Sequence, residues 1–130
     1  MKILPRCLSL FLVSAAVAVA AELPKVTPAE AARRVADGKA VLIDVREPDE
    51  WAQTGVAAPA VLLPMSDFNG AQKLWKPFLE KNAGKELILY CRSGHRAGIV
   101  GTKLTDRGRT VANAGGFKDW AAAGLPVRKP

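Results

Sequence analysis

One short segment, residues 91–96 (CRSGHR), brings together the side chains of this 130-residue chain that could support chemistry. It holds a cysteine, two arginines and the only histidine of the sequence. A thiolate is a strong nucleophile, and neighbouring cations favour it over the neutral thiol. Gly94 allows a tight loop in which successive backbone N–H groups point at one spot. We therefore expect Cys91 to be an anion-facing nucleophile, rather than a small apolar residue that only ends a strand.

The side chains around the cysteine have more than one interpretation. We favour Arg92 as a contact for an anionic substrate. Arg96 could do the same, or it could pair with a carboxylate and brace the loop. His95 could donate to a substrate, tune the thiol or face solvent, and Ser93 and Gly94 complete the loop as backbone donors. The sequence leaves these roles open.

Helices and strands alternate along the rest of the chain. Short apolar runs predict strands covered on both faces, whereas caps and prolines mark the starts of helices. The predicted strands are residues 40–45, 60–64, 86–90 and 109–112. The predicted helices are residues 28–36, a short one from 47 to 55, 72–81 with a bend or restart at Pro77, 96–107 and 117–123. The alternation predicts a three-layer α/β domain with a mostly parallel central sheet flanked by helices.

This organisation places Cys91 at the carboxyl end of a central strand, where the chain turns into a helix. Open α/β sheets bind ligands beyond the carboxyl ends of their strands, and the N-terminus of the following helix adds positive potential there. Asp44 and Arg46 follow the first strand and reach the same edge. We expect them to form an ion pair under the site, with a supporting role at most.

Residues 1–20 have the composition of a secretory signal peptide. Lys2 and Arg6 precede an uncharged, apolar run over residues 7–21, which is shorter than the roughly 18 to 20 residues of a membrane-spanning helix. The run ends in a small-x-small sequence that predicts cleavage before Ala21. We therefore expect a periplasmic or otherwise exported protein, with no stable membrane anchor after cleavage.

Cleavage would leave a domain of residues 21–130 whose net charge falls from +7 to about +5, because two basic residues are lost. It would also leave Cys91 as the one cysteine, which excludes a structural disulfide within the domain. Basic and acidic residues alternate without a Lys/Arg-rich run. Nucleic acid is therefore not expected as a partner, whereas attraction of small anions is.

Four motifs in this order resemble the single-domain rhodaneses. They are LIDVRE at 42–47, CRSGHR at 91–96, GGFKDW at 115–120 and AGLPV at 123–127. The run that begins at Asn113 (NAGGFKD) is also similar to that of small exported rhodaneses of the phage shock type. The resemblance covers about residues 27–128. It departs at residues 55–57 (GVA), where many members carry Gly-His-Ile.

The resemblance implies a thiosulfate sulfurtransferase. Cys91 would attack the outer sulfur of thiosulfate, release sulfite and hold a persulfide, which a thiol, cyanide or a protein acceptor then removes. Arg92 and Arg96 would form a cationic mouth for the small anionic donor, and backbone N–H groups of residues 92–96 would stabilise the persulfide. No cofactor and no metal are expected in this reaction.

Two other function classes stay open. Cysteine-dependent phosphatases and arsenate reductases place five residues between cysteine and arginine, whereas four separate Cys91 from Arg96. The shorter loop leaves less room for a tetrahedral oxyanion over the sulfur. A persulfide carrier or stress-linked binding module, in contrast, would hold sulfur or a partner without turning over with a small thiol.

Overall fold

A computed structural model describes residues 12–15 and 22–130 of the chain. The predicted signal peptide lies outside these residues apart from 12–15, so its cleavage stays a prediction. The helices described are α1 (Pro28–Ala36), α2 (Pro48–Thr54), α3 (Met65–Asn69), α4 (Trp75–Lys81), α5 (His95–Asp106) and α6 (Phe117–Ala122). The strands are β1 (Ala40–Asp44), β2 (Val56–Ala57), β3 (Val61–Leu62), β4 (Glu86–Cys91), β5 (Val111–Gly116) and β6 (Val127–Arg128). None of the helices in this part of the chain combines the length and hydrophobicity needed to cross a membrane.

Four strands form a parallel central sheet in the order β3-β1-β4-β5. Asp44 at the end of β1 pairs with Tyr90, and Cys91 at the end of β4 pairs with Gly116 after a shift in register. Because these strands run in one direction, the carboxyl ends of β1, β4 and β5 meet at the same edge. The short strands β2 and β6 pair antiparallel in a separate ribbon.

The central strands bury alternate side chains in two apolar clusters, one on each face of the sheet. Leu87 and Leu89 belong to the first cluster, with residues from α3, α4 and α5. Ile88 and Tyr90 belong to the second, with residues from α1 and α6. Period-two alternation with apolar residues on both faces is what a parallel sheet between helices requires. The predicted fold, a three-layer α/β domain with a parallel sheet, is confirmed.

The segment between β3 and β4 differs from the sequence-based expectation. The helix predicted over residues 72–81 begins only at Trp75, as α4, and is not restarted at Pro77, and a short helix that was not predicted, α3, precedes it. The carboxylate of Asp67 causes this start, because it accepts three backbone N–H groups there, including that of Trp75 at 3.1 Å. Pro77 lies in the first turn of α4, where a backbone N–H has no partner within the helix.

The remaining corrections concern strand lengths. β3 has two residues instead of the predicted 60–64, and β5 covers 111–116 instead of 109–112. The extension of β5 matters for function because it carries Gly115 and Gly116 to the edge where Cys91 lies. β2 and β6 were not predicted, since two-residue strands leave no periodic pattern in a sequence.

Candidate active site

Cys91 ends β4 at the edge of the sheet where the carboxyl ends of the strands meet. Its side chain is 1% exposed, so the sulfur lies at the base of a loop rather than on the surface. Sγ accepts the backbone N–H of Gly94 at 3.0 Å. Gly94 precedes α5 and has a φ of +97°, a left-handed conformation that residues with a Cβ rarely adopt. The glycine therefore turns its N–H toward the sulfur, as the sequence predicts for this position.

Asn113 of β5 holds the loop from behind. Its Nδ2 donates to the carbonyl oxygen of Gly94 at 2.9 Å, and its Oδ1 accepts the backbone N–H of Gly115 at 2.9 Å. Its own backbone bonds to Pro24 and Val26, in the segment that precedes α1. Sequence reasoning noted Asn113 only within a family-like motif and missed this role. An asparagine before two glycines is a weak signal, because it equally suits a turn.

The end of β5 packs directly against the first residue of the loop. A Cβ on Gly116 would lie 2.2 Å from the carbonyl oxygen of Arg92, a distance at which the backbone would have to move. The second glycine of the GGFKDW motif therefore has a steric reason. It lets β5 approach the residue that follows the nucleophile.

Arg96, near the start of α5, is fixed by a carboxylate from α2. Its two terminal nitrogens donate to Glu50 at 2.5 and 2.7 Å, in a bidentate pair. The hydrogen bond from Arg96 is the main cause that lowers the pKa of Glu50 to about 2, and the same pairing raises the pKa of Arg96. The structure shows the pairing with a carboxylate, which is one of the two roles left open for Arg96, and contact with a substrate stays a prediction. Glu50 is the second residue that sequence reasoning missed, because 46 residues separate it from its partner.

Asp44 and Arg46 form a buried ion pair next to the loop. The Arg46 side chain is 2% exposed and reaches both carboxylate oxygens of Asp44, the shortest contact being 2.8 Å. It also donates to Thr54 and Gly55 at the end of α2. Burial disfavours the charged guanidinium, but pairing with Asp44 outweighs it and raises the pKa of Arg46. The pair fixes the end of α2, and its support of the reaction stays a prediction.

The remaining side chains of the loop, Arg92, Ser93 and His95, are exposed. Arg92 lines a cavity of about 270 Å³ with Arg46, Phe117 and Lys118. Ser93 lines a second cavity, on the side of Lys25 and Asp119, and His95 a third, shallower one. The three side chains thus point to different sides of the loop, and no contact in the described residues assigns a role to Ser93 or His95.

The arrangement suits a nucleophile that stores an anionic group. A sulfur at the base of a loop faces one fixed backbone donor, and the cations around it are held at set distances by carboxylates or left exposed. Such a site can stabilise negative charge on or near Sγ without rearrangement during a reaction. Of the side chains in this loop, only the Cys91 thiol accepts a backbone N–H donor of the loop, so we expect a covalent intermediate to form on Cys91.

Comparison with known proteins agrees with this geometry. A sulfurtransferase of Allochromatium vinosum is 34% identical over 101 residues, which cover 75% of this chain and 88% of that protein. A thiosulfate:glutathione sulfurtransferase of Saccharomyces cerevisiae is 33% identical over 97 residues, covering 68% of this chain and 69% of that one.

Solved structures and one family profile also match this chain. The human single-domain sulfurtransferase TSTD1 superimposes with a TM-score of 0.61 at 26% identity, over 76% of this chain and 96% of that one. Some matched chains are much longer, and this chain covers as little as 18% of one of them. The profile of the rhodanese-like domain matches residues 27–123. The chain therefore belongs to the family of rhodanese-like domains.

Proposed function

We propose that this domain is a sulfurtransferase that carries sulfane sulfur on Cys91, from an anionic donor such as thiosulfate to a thiol or cyanide. The sulfurtransferases among its relatives support the reaction class. The observation that carries the proposal is the position of Sγ, at the base of the loop and 3.0 Å from the backbone N–H of Gly94. A structural cysteine would need no such donor.

In the first half of the reaction, the thiolate of Cys91 attacks the outer sulfur of thiosulfate. A new S–S bond forms to Sγ, and the bond between the outer sulfur and the sulfonate sulfur breaks. Its electron pair leaves with sulfite, so a monoanionic thiolate and a dianion become a monoanionic persulfide and a dianion. No proton, metal or redox partner is needed in this step. The N–H of Gly94 and the positive end of α5 stabilise the negative charge on the persulfide.

In the second half, an acceptor attacks the outer sulfur of the persulfide. Cyanide would leave as thiocyanate and a thiolate as its own persulfide, and either acceptor restores the thiolate of Cys91. A protein thiol is an equally suitable acceptor by its chemistry. Covalent catalysis in two halves predicts ping-pong kinetics, in which sulfite leaves before the acceptor binds.

Intact mass spectrometry tests the proposal directly. Incubation with thiosulfate should add one sulfur, about 32 Da, to the wild-type protein, and cyanide should remove it as thiocyanate. Cys91→Ser should gain no mass and lose at least about a thousandfold in turnover while keeping its thermal midpoint, since the hydroxyl is a far weaker nucleophile. Cys91→Ala controls for the hydroxyl. A persulfide-free wild-type protein, or an active Cys91→Ser, would rule the mechanism out.

The acceptor decides between an enzyme and a carrier. An enzyme should turn over with a small thiol or cyanide as the only acceptor, with a rate that rises with acceptor concentration. A carrier would keep the added sulfur under the same conditions, and that result would replace turnover by sulfur storage as the function.

We also propose, on the sequence of residues 1–20, that the protein is exported and cleaved before Ala21. The same mass measurement on protein expressed with its own leader tests this. A mature mass that begins at Ala21, recovered from the periplasm or the medium, is expected. An uncut protein in the cytoplasm would contradict export without affecting the chemistry of Cys91.

A further inference from the structure

The charges beside the loop are unequally neutralised. Two buried or half-buried carboxylates lie in this region, and both are already occupied. Asp44 gives both oxygens to Arg46, and Glu50 gives both oxygens to Arg96. Any further cation near them is therefore left with its charge uncompensated.

Arg92 and Lys118 are those cations. Both are exposed, and within residues 22–130 neither side chain takes part in an ion pair or a side-chain hydrogen bond. Both line the cavity of about 270 Å³ on the α2 and α6 side of the loop. The only acid in the lining of this cavity is Glu50, whose charge is directed at Arg96. The cavity therefore carries an excess of two positive charges.

The backbone brings Lys118 close to the start of the loop although it is far from the loop in sequence. Cys91 pairs with Gly116 in the sheet, and Gly116 packs against the carbonyl of Arg92. Lys118 follows two residues later, at the start of α6. Its neighbour Phe117 is held in place because the guanidinium of Arg46 lies 4.6 Å from the centre of its ring.

Resting on the proposed function, we infer that Lys118 is a substrate-contacting residue outside the loop, and that it binds the oxyanion end of the sulfur donor together with Arg92. The preferred donor class is a sulfane sulfur joined to a sulfonate, such as the dianion thiosulfate. A monoanionic thiolate must approach this dianion, and sulfite must leave with both negative charges. Two uncompensated cations in the cavity next to the loop lower the repulsion in both steps.

A pair of donors that differ by one charge tests the inference. Thiosulfate is a dianion, whereas methanethiosulfonate has a methyl group in place of one charged oxygen and is a monoanion. Lys118→Gln should lower kcat/KM for thiosulfate roughly five- to tenfold, the effect of one charge-assisted contact. The loss should come mainly from KM, and it should be clearly smaller for methanethiosulfonate. Arg92→Gln should show the same preference, and Lys118→Arg should keep most of the wild-type value.

Lys76→Gln is the matched control, because Lys76 is an exposed lysine of α4 that lines none of the cavities next to the loop. It removes the same charge from the protein as a whole. Equal losses for the two donors in Lys118→Gln, or losses no larger than those of Lys76→Gln, would overturn the inference.

Persulfide formation separates this inference from the proposed function. At saturating thiosulfate, Lys118→Gln should still gain one sulfur on Cys91, because the nucleophile and the loop are intact. A wild-type protein that gains no sulfur would defeat the proposed function itself. A wild-type protein that gains sulfur, with a Lys118→Gln variant that behaves like Lys76→Gln, would defeat the role of Lys118 alone.

Discussion

Arg92 and Arg96 flank the same cysteine, yet their surroundings differ. Arg96 gives both terminal nitrogens to Glu50 and joins α5 to α2. Arg92 has no such partner in residues 22–130, and its neighbour across the cavity is another cation, Lys118. The reason is the element that each arginine faces, since α2 supplies a carboxylate and the start of α6 supplies a lysine. One arginine is thus paired with a carboxylate, whereas the other is exposed and has no ion-pair partner among the described residues.

The arginines that contact α2, Arg46 and Arg96, are more buried than Arg92. The Arg46–Asp44 pair and the Arg96–Glu50 pair both end on α2, so this helix is fixed to the edge of the sheet by two arginines. The same helix lines the cavity of Arg92 and Lys118, through Glu50, Gln53 and Thr54. A fixed helix beside exposed cations would keep Sγ in place while substrates enter and leave.

Breaking the Arg96–Glu50 pair should lower activity more than removing either exposed cation. Arg96→Gln and Glu50→Gln each break the bidentate pair, and a misplaced loop should lower kcat roughly ten- to a hundredfold. Because both variants lose the same brace, their losses should be similar and should fall on kcat. Steady-state kinetics with thiosulfate measure this, and Glu80→Gln, an exposed acid of α4, is the matched control.

The opposite result would reassign Arg96. If its guanidinium bound the donor during the reaction, Arg96→Gln would raise KM strongly, whereas Glu50→Gln would leave KM unchanged or lower it. Arg96→Lys adds a second test. It keeps the charge but loses the bidentate geometry, so a brace predicts a clear loss of kcat and a simple charge contact does not.

Replacing Asn113 should also loosen the loop, with a smaller loss of activity. Asn113→Ala removes the hydrogen bond to Gly94 and should lower kcat/KM roughly three- to tenfold, as expected for one intramolecular hydrogen bond. Asn113→Asp should be worse, because it places a carboxylate oxygen against the carbonyl of Gly94. The rate of Cys91 alkylation by iodoacetamide, measured beside turnover, reports on the loop directly. Asn69→Asp, at an exposed position of α3, should behave as wild type.

A different pattern for Asn113 would limit its role to stability. If Asn113→Ala lowered the thermal midpoint but left both alkylation and kcat/KM unchanged, the hydrogen bond to Gly94 would not position the nucleophile. The loop would then be held by Gly116 and the Arg96–Glu50 pair alone.

Local patterns in the sequence account for most of the fold and for the loop. The apolar strands, the caps of α1 and the glycine of the loop depend on near neighbours, so they were predictable. The missed features join distant segments, since Arg96 and Glu50 are 46 residues apart and Asn113 and Gly94 are 19 apart. The start of α4 was misjudged because the Asp67 carboxylate that caps it lies in the preceding helix. Which side chain meets which across the sheet edge depends on strand order and register, and the sequence shows neither directly.

Acid should weaken the Arg96–Glu50 pair, and this should be the smallest of the predicted effects. The pKa of Glu50 falls from 4.5 to about 2, chiefly because of the hydrogen bond from Arg96. A carboxyl group with a lowered pKa contributes stability that is complete above its ordinary pKa of 4.5 and is lost as the pH falls toward 2. The difference in unfolding free energy between wild type and Glu50→Gln should therefore be constant from pH 7 to about 5 and shrink below that. Other carboxylates titrate in both proteins and cancel in this difference. Urea unfolding at several pH values measures it, and a difference that stays constant down to pH 2 would mean that Glu50 gains nothing from Arg96 in solution.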